Sequence, residues 1–355
     1  MSKKIDLRSD TVTLPTDEMR AAILSAKLGD DVFGEDPTVN ELEEKASKIM
    51  GKEAGLLVPS GTMGNLVSIL VHCQRGTEII LGDKSHTFIY EAGGISAFGG
   101  IHSHQLKNQV NGTIKISDIQ SAIRMDNVHF PNTAAVSLEN THNLCNGSPL
   151  SSTYVQDVAH IAHDNNMKLH IDGARIFNAA VAQNIDAMDL VADADSVTFC
   201  LSKGLSAPVG SVICGSEEFI YHARRIRKAL GGGMRQAGVI AAAGIIALDN
   251  MLNQIRKDHQ NTKLLAEGIS NINGLSIDKE NIKSNILYFN IDKESMRSSK
   301  LKKKTKNIDI YPFEIVLDNL YFFESSPGRF RLVVHCGITQ KDLDKTLVLL
   351  ENMVK

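Results

Sequence analysis

Short apolar runs alternate with segments of helical period along most of this chain. That alternation predicts an α/β fold built on a mainly parallel sheet. Runs at Gly55–Val58, Glu78–Leu81, Ala134–Leu138, Lys168–Ile171, Ser196–Leu201 and Gly210–Cys214 read as strands. Gly64–His72, Tyr154–Asn165 and Glu217–Ala229 read as helices. Nearer the start, Thr16 is placed to cap a helix carrying Met19, Ile23 and Ala26, with Gly29 at its end. Thr38 and Glu41 have capping-box spacing ahead of Leu42, Ala46 and Ile49, and Gly51 marks the stop.

A segment from about Gln236 to Met251 is nearly all apolar, so as a helix it must be buried all round, in the core or at a subunit interface. Beyond it the pattern changes. Ser284–Ile291 and Phe330–His335 read as strands, and Thr339–Val354 as an amphipathic helix. The chain therefore divides near residue 252. A large domain, 1–252, begins with an N-terminal segment 1–15, and a smaller α/β domain follows over 253–355.

The length, 355 residues, is too great for one ordinary core and agrees with that division. A net charge of −3 makes no demand for nucleic acid or an acidic membrane surface. The longest apolar run, Val239–Leu248, is too short to span a bilayer, and Met1–Asp10 lacks the apolar centre of a signal peptide. A soluble protein without membrane or nucleic-acid partners is expected. Five cysteines, an odd number with no CxxC spacing, argue against a disulfide framework or a metal site and for a reducing cytoplasm. Cys200 and Cys214 sit in apolar stretches and read as buried thiols. The basic stretch Arg297–Lys306 reads as a solvated face or loop.

The chemistry lies in an order of strand, Asp, strand, Lys. Lys168–Ile171 delivers Asp172 at its carboxyl end, and the next strand delivers Ser202 and Lys203 at its own. Ligands of open α/β sheets bind outside the carboxyl ends of strands, so a carboxylate and an amine would face one crevice. Pyridoxal phosphate (PLP) needs both groups: an amine that bonds to its aldehyde, and a carboxylate that keeps its ring nitrogen protonated. Singly, such a Lys is usually a solvated residue and such an Asp a helix cap. A third element supplies context. Val58 to Asn65 joins a strand to a helix with small residues and hydroxyls, a phosphate site at a helix N-terminus or else a plain tight turn. The segment is neither a nucleoside-triphosphate loop nor GxGxxG, which argues against a nicotinamide oxidoreductase.

Several longer motifs extend this picture: Ser9–Thr13, Gly29–Thr38, Pro59–Asn65, Leu138–Asn143, His170–Arg175, Cys200–Gly204 and Gly231–Gly238. In this order they resemble the low-specificity L-threonine aldolases, PLP enzymes of the aspartate-aminotransferase-like group, also called fold type I. The resemblance covers nearly all of the first 250 residues. It implies retro-aldol cleavage of threonine or allo-threonine to glycine and acetaldehyde by a PLP-dependent homo-oligomer, a homotetramer in the cytoplasm. β-Elimination and serine hydroxymethyl transfer are the alternative reactions on the same fold, and a binding protein without turnover is the rival outside enzymology.

By position, Lys203 resembles the cofactor-bonding lysine and Asp172 the ring-nitrogen partner. Gly61 and Thr62 resemble the phosphate cradle, His86 the imidazole stacked on the ring, and His142 a second active-site histidine. Ser9 and Arg331 resemble the holders of the substrate carboxylate, with Arg329 the competitor two residues earlier. Arg175 resembles an arginine beside cofactor and substrate, and Arg235 one that reaches a neighbouring subunit's phosphate. Phe33 stands where the family commonly has Tyr, so any hydroxyl role there is lost. Taken alone, the histidines read equally as loop residues, Arg175 as a structural ion pair, Arg235 as a helix cap and Arg331 as a solvent-facing strand residue.

Overall fold

The structure is a computed structural model that describes residues 3–298, 302–303 and 312–355. The basic stretch Arg297–Lys306 falls largely outside the described residues. The short strand β1 (Ile5–Asp6) opens the chain. Seven strands then make one sheet: β2 (Ala54–Val58), β3 (Glu78–Gly82), β4 (His102–Leu106), β5 (Thr133–Glu139), β6 (Lys168–Asp172), β7 (Ser196–Cys200) and β8 (Ser211–Gly215). Their spatial order is β2-β8-β7-β6-β5-β3-β4. Strands β4, β3, β5, β6 and β7 are mutually parallel, and β8 runs antiparallel between β7 and β2. β8 is buried along its whole length, and such an apolar strand looks the same from sequence in either direction.

A second, mostly antiparallel sheet contains β9 (Leu275–Ile277), β10 (Ile286–Ile291), β11 (Lys302–Lys303), β12 (Phe313–Leu317), β13 (Leu320–Ser326) and β14 (Arg329–Val333). Each sheet has its own apolar core. One centres on Leu57, Leu169, Val197 and Phe199, the other on Phe289, Phe322 and Phe330. The N-terminal segment joins them. β1 pairs parallel with β13, and the Leu7 carbonyl accepts the Val333 amide at 2.9 Å. The chain then crosses to the large sheet.

Helix α1 (Asp17–Ser25) is capped by Thr16, as expected, but it stops at Ser25 rather than running to Gly29. Helix α2 (Pro37–Met50) is capped not by Thr38 but by Asp36, whose Oδ1 accepts the amides of Thr38 and Val39. Pro37 is suited to the first helical position, which leaves Thr38 inside, its hydroxyl donating to the Lys27 carbonyl. Gly51 closes α2 in the left-handed conformation at φ +62°. Helix α3 (Gly61–His72) lies against β7. A Cβ on Gly64 would meet Thr198 Cγ2 at 2.4 Å, so glycine is what allows this approach.

The apolar helix forms at Gly238–Asn250. One face is buried, while Val239 remains 39% exposed and Ile245 and Ile246 are half-buried, so within one chain it is not covered all round. No single helix among the described residues is long and apolar enough to cross a membrane.

Candidate active site

The carboxyl ends of the parallel strands converge. β6 ends on Asp172, Ser202 and Lys203 follow β7, His86 follows β3, and Glu139 ends β5. Two neighbouring cavities open here and share His86 and Lys203. The inner one, about 180 Å³, is also lined by Gly61, Thr62, Asn65, Glu91 and Asp172. The outer one, about 390 Å³, is lined by Ser9, Arg175, Tyr288 and Arg331 among others. A larger cleft of about 670 Å³ lies at the opposite end of the sheet and touches none of these groups.

The inner cavity has donors and acceptors suited to PLP. Asp172 is buried, and its Oδ1 accepts the Ala174 amide. Among the described residues it has no cationic partner within ion-pair distance, so a protonated ring nitrogen would supply the missing charge. At the head of α3, Ser60 takes the Met63 amide with its hydroxyl and the Gly64 amide with its carbonyl. That leaves the first amides, those of Gly61 and Thr62, for an anion. A Cβ on Gly61 would press on Cys200 Sγ at 2.8 Å, so this helix end lies directly on the strand ends. Lys203 is partly exposed and its carbonyl accepts Thr13 Oγ1 at 3.0 Å, which ties the lysine loop to the N-terminal segment.

His86 is fixed at both ends. Its amide donates to Glu139 Oε2 at 2.8 Å, and its Nδ1 lies 2.8 Å from Glu91 Oε1. Burial disfavours the imidazolium, but the Glu91 hydrogen bond and the Asp172 charge outweigh it and raise the His86 pKa above the ordinary histidine value.

The outer cavity contains two arginines with different partners. Arg175 grips Asp10 with two hydrogen bonds, Nε at 2.7 Å and Nη2 at 2.6 Å, and both side chains are buried. Burial alone would raise the Asp10 pKa, but Arg175 holds it far below the usual carboxylate range. Arg331 donates Nη1 to the Arg8 carbonyl and Nη2 to Asn143 Oδ1. Among the described residues its buried Nε has no partner, and the side chain has no carboxylate partner. Asp10 neutralises Arg175, so of the two guanidiniums Arg331 is the one suited to a further carboxylate. Arg329 turns elsewhere, to Asn146 Oδ1 and the Tyr288 ring, and lines a different cleft of about 280 Å³.

Lys203, Asp172, His86, Gly61, Thr62, Arg175, Ser9 and Arg331 thus meet at these cavities. His142 and Arg235 do not line them. His142 is buried, its ring nitrogens have no hydrogen-bond partner among the described residues, and Nε2 lies 3.9 Å from Glu139 Oε2. Arg235 is exposed and pairs with Asp30, its guanidinium 6.0 Å from the exposed Phe33 ring. Sequence reasoning singled out neither Asp10, Glu91, Asn65, Asn143 nor Tyr288. Asp10, Asn65 and Asn143 lie inside the longer motifs, while Glu91 carries no local signal.

Comparison with known proteins agrees with this geometry. Residues 6–292 match the model of the Beta-eliminating lyase family. The chain is 46% identical to low-specificity L-threonine aldolase 1 of Arabidopsis thaliana, over 97% of this chain and 95% of that protein. It is 39% identical to the low specificity L-threonine aldolase of Escherichia coli, over 96% of each. The fold matches a Leishmania major threonine aldolase with a TM-score of 0.79 at 16% identity, over 99% of this chain and 100% of the other. The chain belongs to the Beta-eliminating lyase family and, within it, to the low-specificity L-threonine aldolases.

Proposed function

We propose that this protein uses PLP to cleave the Cα–Cβ bond of L-threonine and L-allo-threonine, giving glycine and acetaldehyde. One observation carries the reading. Lys203 and the buried carboxylate of Asp172 line one cavity, which adjoins a second where Arg331, unlike Arg175, has no carboxylate partner among the described residues. Bound PLP supplies a covalent attachment for the substrate amine and a ring that accepts the electron pair of the broken bond.

The chain's own residues do the rest. The Gly61 and Thr62 amides would hold the phosphate, Lys203 would bond the aldehyde carbon and Asp172 would face the ring nitrogen. Arg331, with Ser9, takes the substrate carboxylate and turns the Cα–Cβ bond to the angle at which it breaks. Arg175 is kept rigid beside it by Asp10. His86, which lines both cavities, receives the β-hydroxyl proton, and its raised pKa makes the neutral ring a stronger base. His142, next to Asn143 in the chain and near Glu139 rather than in the cavity, supports the cavity wall. The chain is proposed to act as a cytoplasmic homotetramer in which Arg235 reaches a partner's phosphate. The uncovered flank of Gly238–Asn250 supports this reading, as do Leu24 at 90% and Phe33 at 73% exposure. The large and small domains are proposed to meet near residue 252.

The test is product analysis. Purified protein with PLP, offered each threonine diastereomer, should yield equal amounts of glycine and acetaldehyde. Ammonia with a 2-oxo acid would mean β-elimination instead, and turnover dependent on a folate one-carbon carrier would mean hydroxymethyl transfer.

A further inference from the structure

Behind His86 a chain of buried polar side chains runs the length of the sheet, and the proposed mechanism uses none of them. Glu91 Oε1 lies 2.8 Å from both His86 Nδ1 and Asn65 Nδ2. Asn65 Oδ1 lies 3.1 Å from His170 Nε2, and His170 Nδ1 lies 2.9 Å from Ser196 Oγ. Ser196 Oγ in turn lies 2.7 Å from His72 Nε2, which borders the large cleft at the far end of the sheet. Glu91, Asn65, His170 and Ser196 are all buried.

We infer that Glu91 is a positioning residue that holds His86 as the Nδ1–H tautomer, and that the chain Asn65–His170–Ser196–His72 holds Glu91 in place.

The polarity follows from counting donors. Burial pushes the Glu91 pKa up, as does the Asp172 charge, while the His86 and Asn65 hydrogen bonds pull it back; as the shared acceptor of those two bonds, Glu91 Oε1 takes the Asn65 amide hydrogens and leaves the Asn65 oxygen facing His170. His170 must then donate from Nε2. Burial lowers its pKa to about 3, so the ring is neutral and has a single N–H. Its Nδ1 is therefore an acceptor and takes the Ser196 hydroxyl proton. Ser196 accepts in turn from His72, which is also neutral, its pKa lowered to about 3 by burial. Every hydrogen bond points toward Glu91, and the last donor to it is His86 Nδ1–H. That leaves His86 Nε2, which has no hydrogen-bond partner among the described residues, as the ring's acceptor. The array is not a proton wire, because the Asn65 amide cannot pass a proton on. It fixes orientation.

This inference rests on His86 being the proton acceptor, so the test separates the two ideas. Holoenzyme labelled with ¹⁵N-histidine reports each ring's tautomer without turnover, and His86 is assigned by the signal lost in His86→Asn. The wild type should show Nδ1–H with a non-protonated Nε2 above the His86 pKa. An Nε2–H ring or an even mixture overturns the inference, whatever the enzyme's activity. Glu91→Gln keeps the shape and removes the charge. Its His86 pKa should fall, moving the acidic limb of the kcat/KM profile to lower pH. Asn65→Leu cuts the chain one step further back. It should turn the His86 signal into a mixture of tautomers and reduce kcat/KM by about tenfold to a hundredfold, less than the roughly 100-fold to 10,000-fold a general base contributes. If Asn65→Leu lowers thermal stability but keeps the tautomer and the pH profile, the network is only structural and the inference fails. If the tautomer responds as expected while the pH profile of cleavage does not move in either variant, Glu91 positions a histidine that is not the proton acceptor, and only the mechanistic reading fails.

Discussion

Replacing Arg331 with Lys keeps the charge in the outer cavity and removes the fork. In the structure the guanidinium is held by the Arg8 carbonyl at 3.0 Å and Asn143 Oδ1 at 2.7 Å, and Nε has no partner among the described residues. A lysine ammonium can satisfy one of those anchors but cannot also offer two parallel hydrogen bonds to a carboxylate. The loss is then about one charge-assisted hydrogen bond, roughly 1.5–3 kcal/mol. At about 1.4 kcal/mol per factor of ten, kcat/KM should fall about tenfold to 150-fold. Part of that should appear in kcat, because a carboxylate held at one point no longer fixes the angle of the Cα–Cβ bond. Arg331→Ala, losing both bonds and the charge, should fall further. The assay is steady-state cleavage of L-threonine beside an amino alcohol that lacks the carboxylate. Wild type should strongly prefer the acid, and Arg331→Ala should lose that preference. Arg329→Lys is the control, since Arg329 faces Asn146 and the Tyr288 ring. If Arg329→Lys is the crippled variant and Arg331→Lys is normal, the anchor has been assigned to the wrong arginine.

Borohydride treatment of the yellow holoenzyme should fix the cofactor to a peptide containing Lys203, and a label on any other lysine would remove Lys203 from the site; Lys203→Ala should lose turnover. Asp172→Asn should retain cofactor weakly and lose most activity, and near-normal turnover would show that another group serves the ring nitrogen. Asp10→Asn breaks a buried ion pair and should cost about 3–5 kcal/mol in urea unfolding at pH 7. Arg175 depresses the Asp10 pKa below its ordinary 3.8, so the wild-type advantage is present above that value. The advantage should shrink as pH falls below about 4 toward the depressed pKa, and an advantage that grew in acid would contradict the pairing. In sedimentation at assay concentration the protein should be a tetramer, and a fully active monomer would refute the role given to Arg235.

Asp172 and Lys203 were legible in the sequence because a short apolar strand of known direction delivers its last residue to the sheet's carboxyl edge. The same logic failed for β4, His102–Leu106, where an edge strand of mostly polar residues carries no apolar pattern. The cap of α2 was misread because Thr38 and Glu41 have the spacing of a capping box, while Pro37 immediately before them was the stronger signal. Arg331 could be placed on a strand but not on a face, because Phe330 and Leu332 define the buried side only once the second sheet exists. The roles of Glu91, Asn65 and His170 were hidden for a different reason, although Asn65 and His170 lie inside the longer motifs. Each is defined by a partner brought up by folding, and the contact between Asn65 and His170 spans 105 positions. Local pattern reading finds groups delivered by an element's end and misses groups defined by what stands opposite.

The N-terminal segment makes its contacts with distant parts of the chain. Asp10 meets Arg175 across 165 positions, Thr13 meets Lys203 across 190, and Lys3 meets Asp342 across 339. Each partner lies far along the chain, Arg175 and Lys203 with the large sheet and Asp342 in the helix Gln340–Val354. Until β13 and β14 are made, β1 has no strand to join, so that strand must wait through most of translation. The outer cavity, lined by residues from Ser9 to Arg331, is therefore completed only once β14 is made, whereas the contacts of Asp10 with Arg175 and of Thr13 with Lys203 need only the first part of the chain.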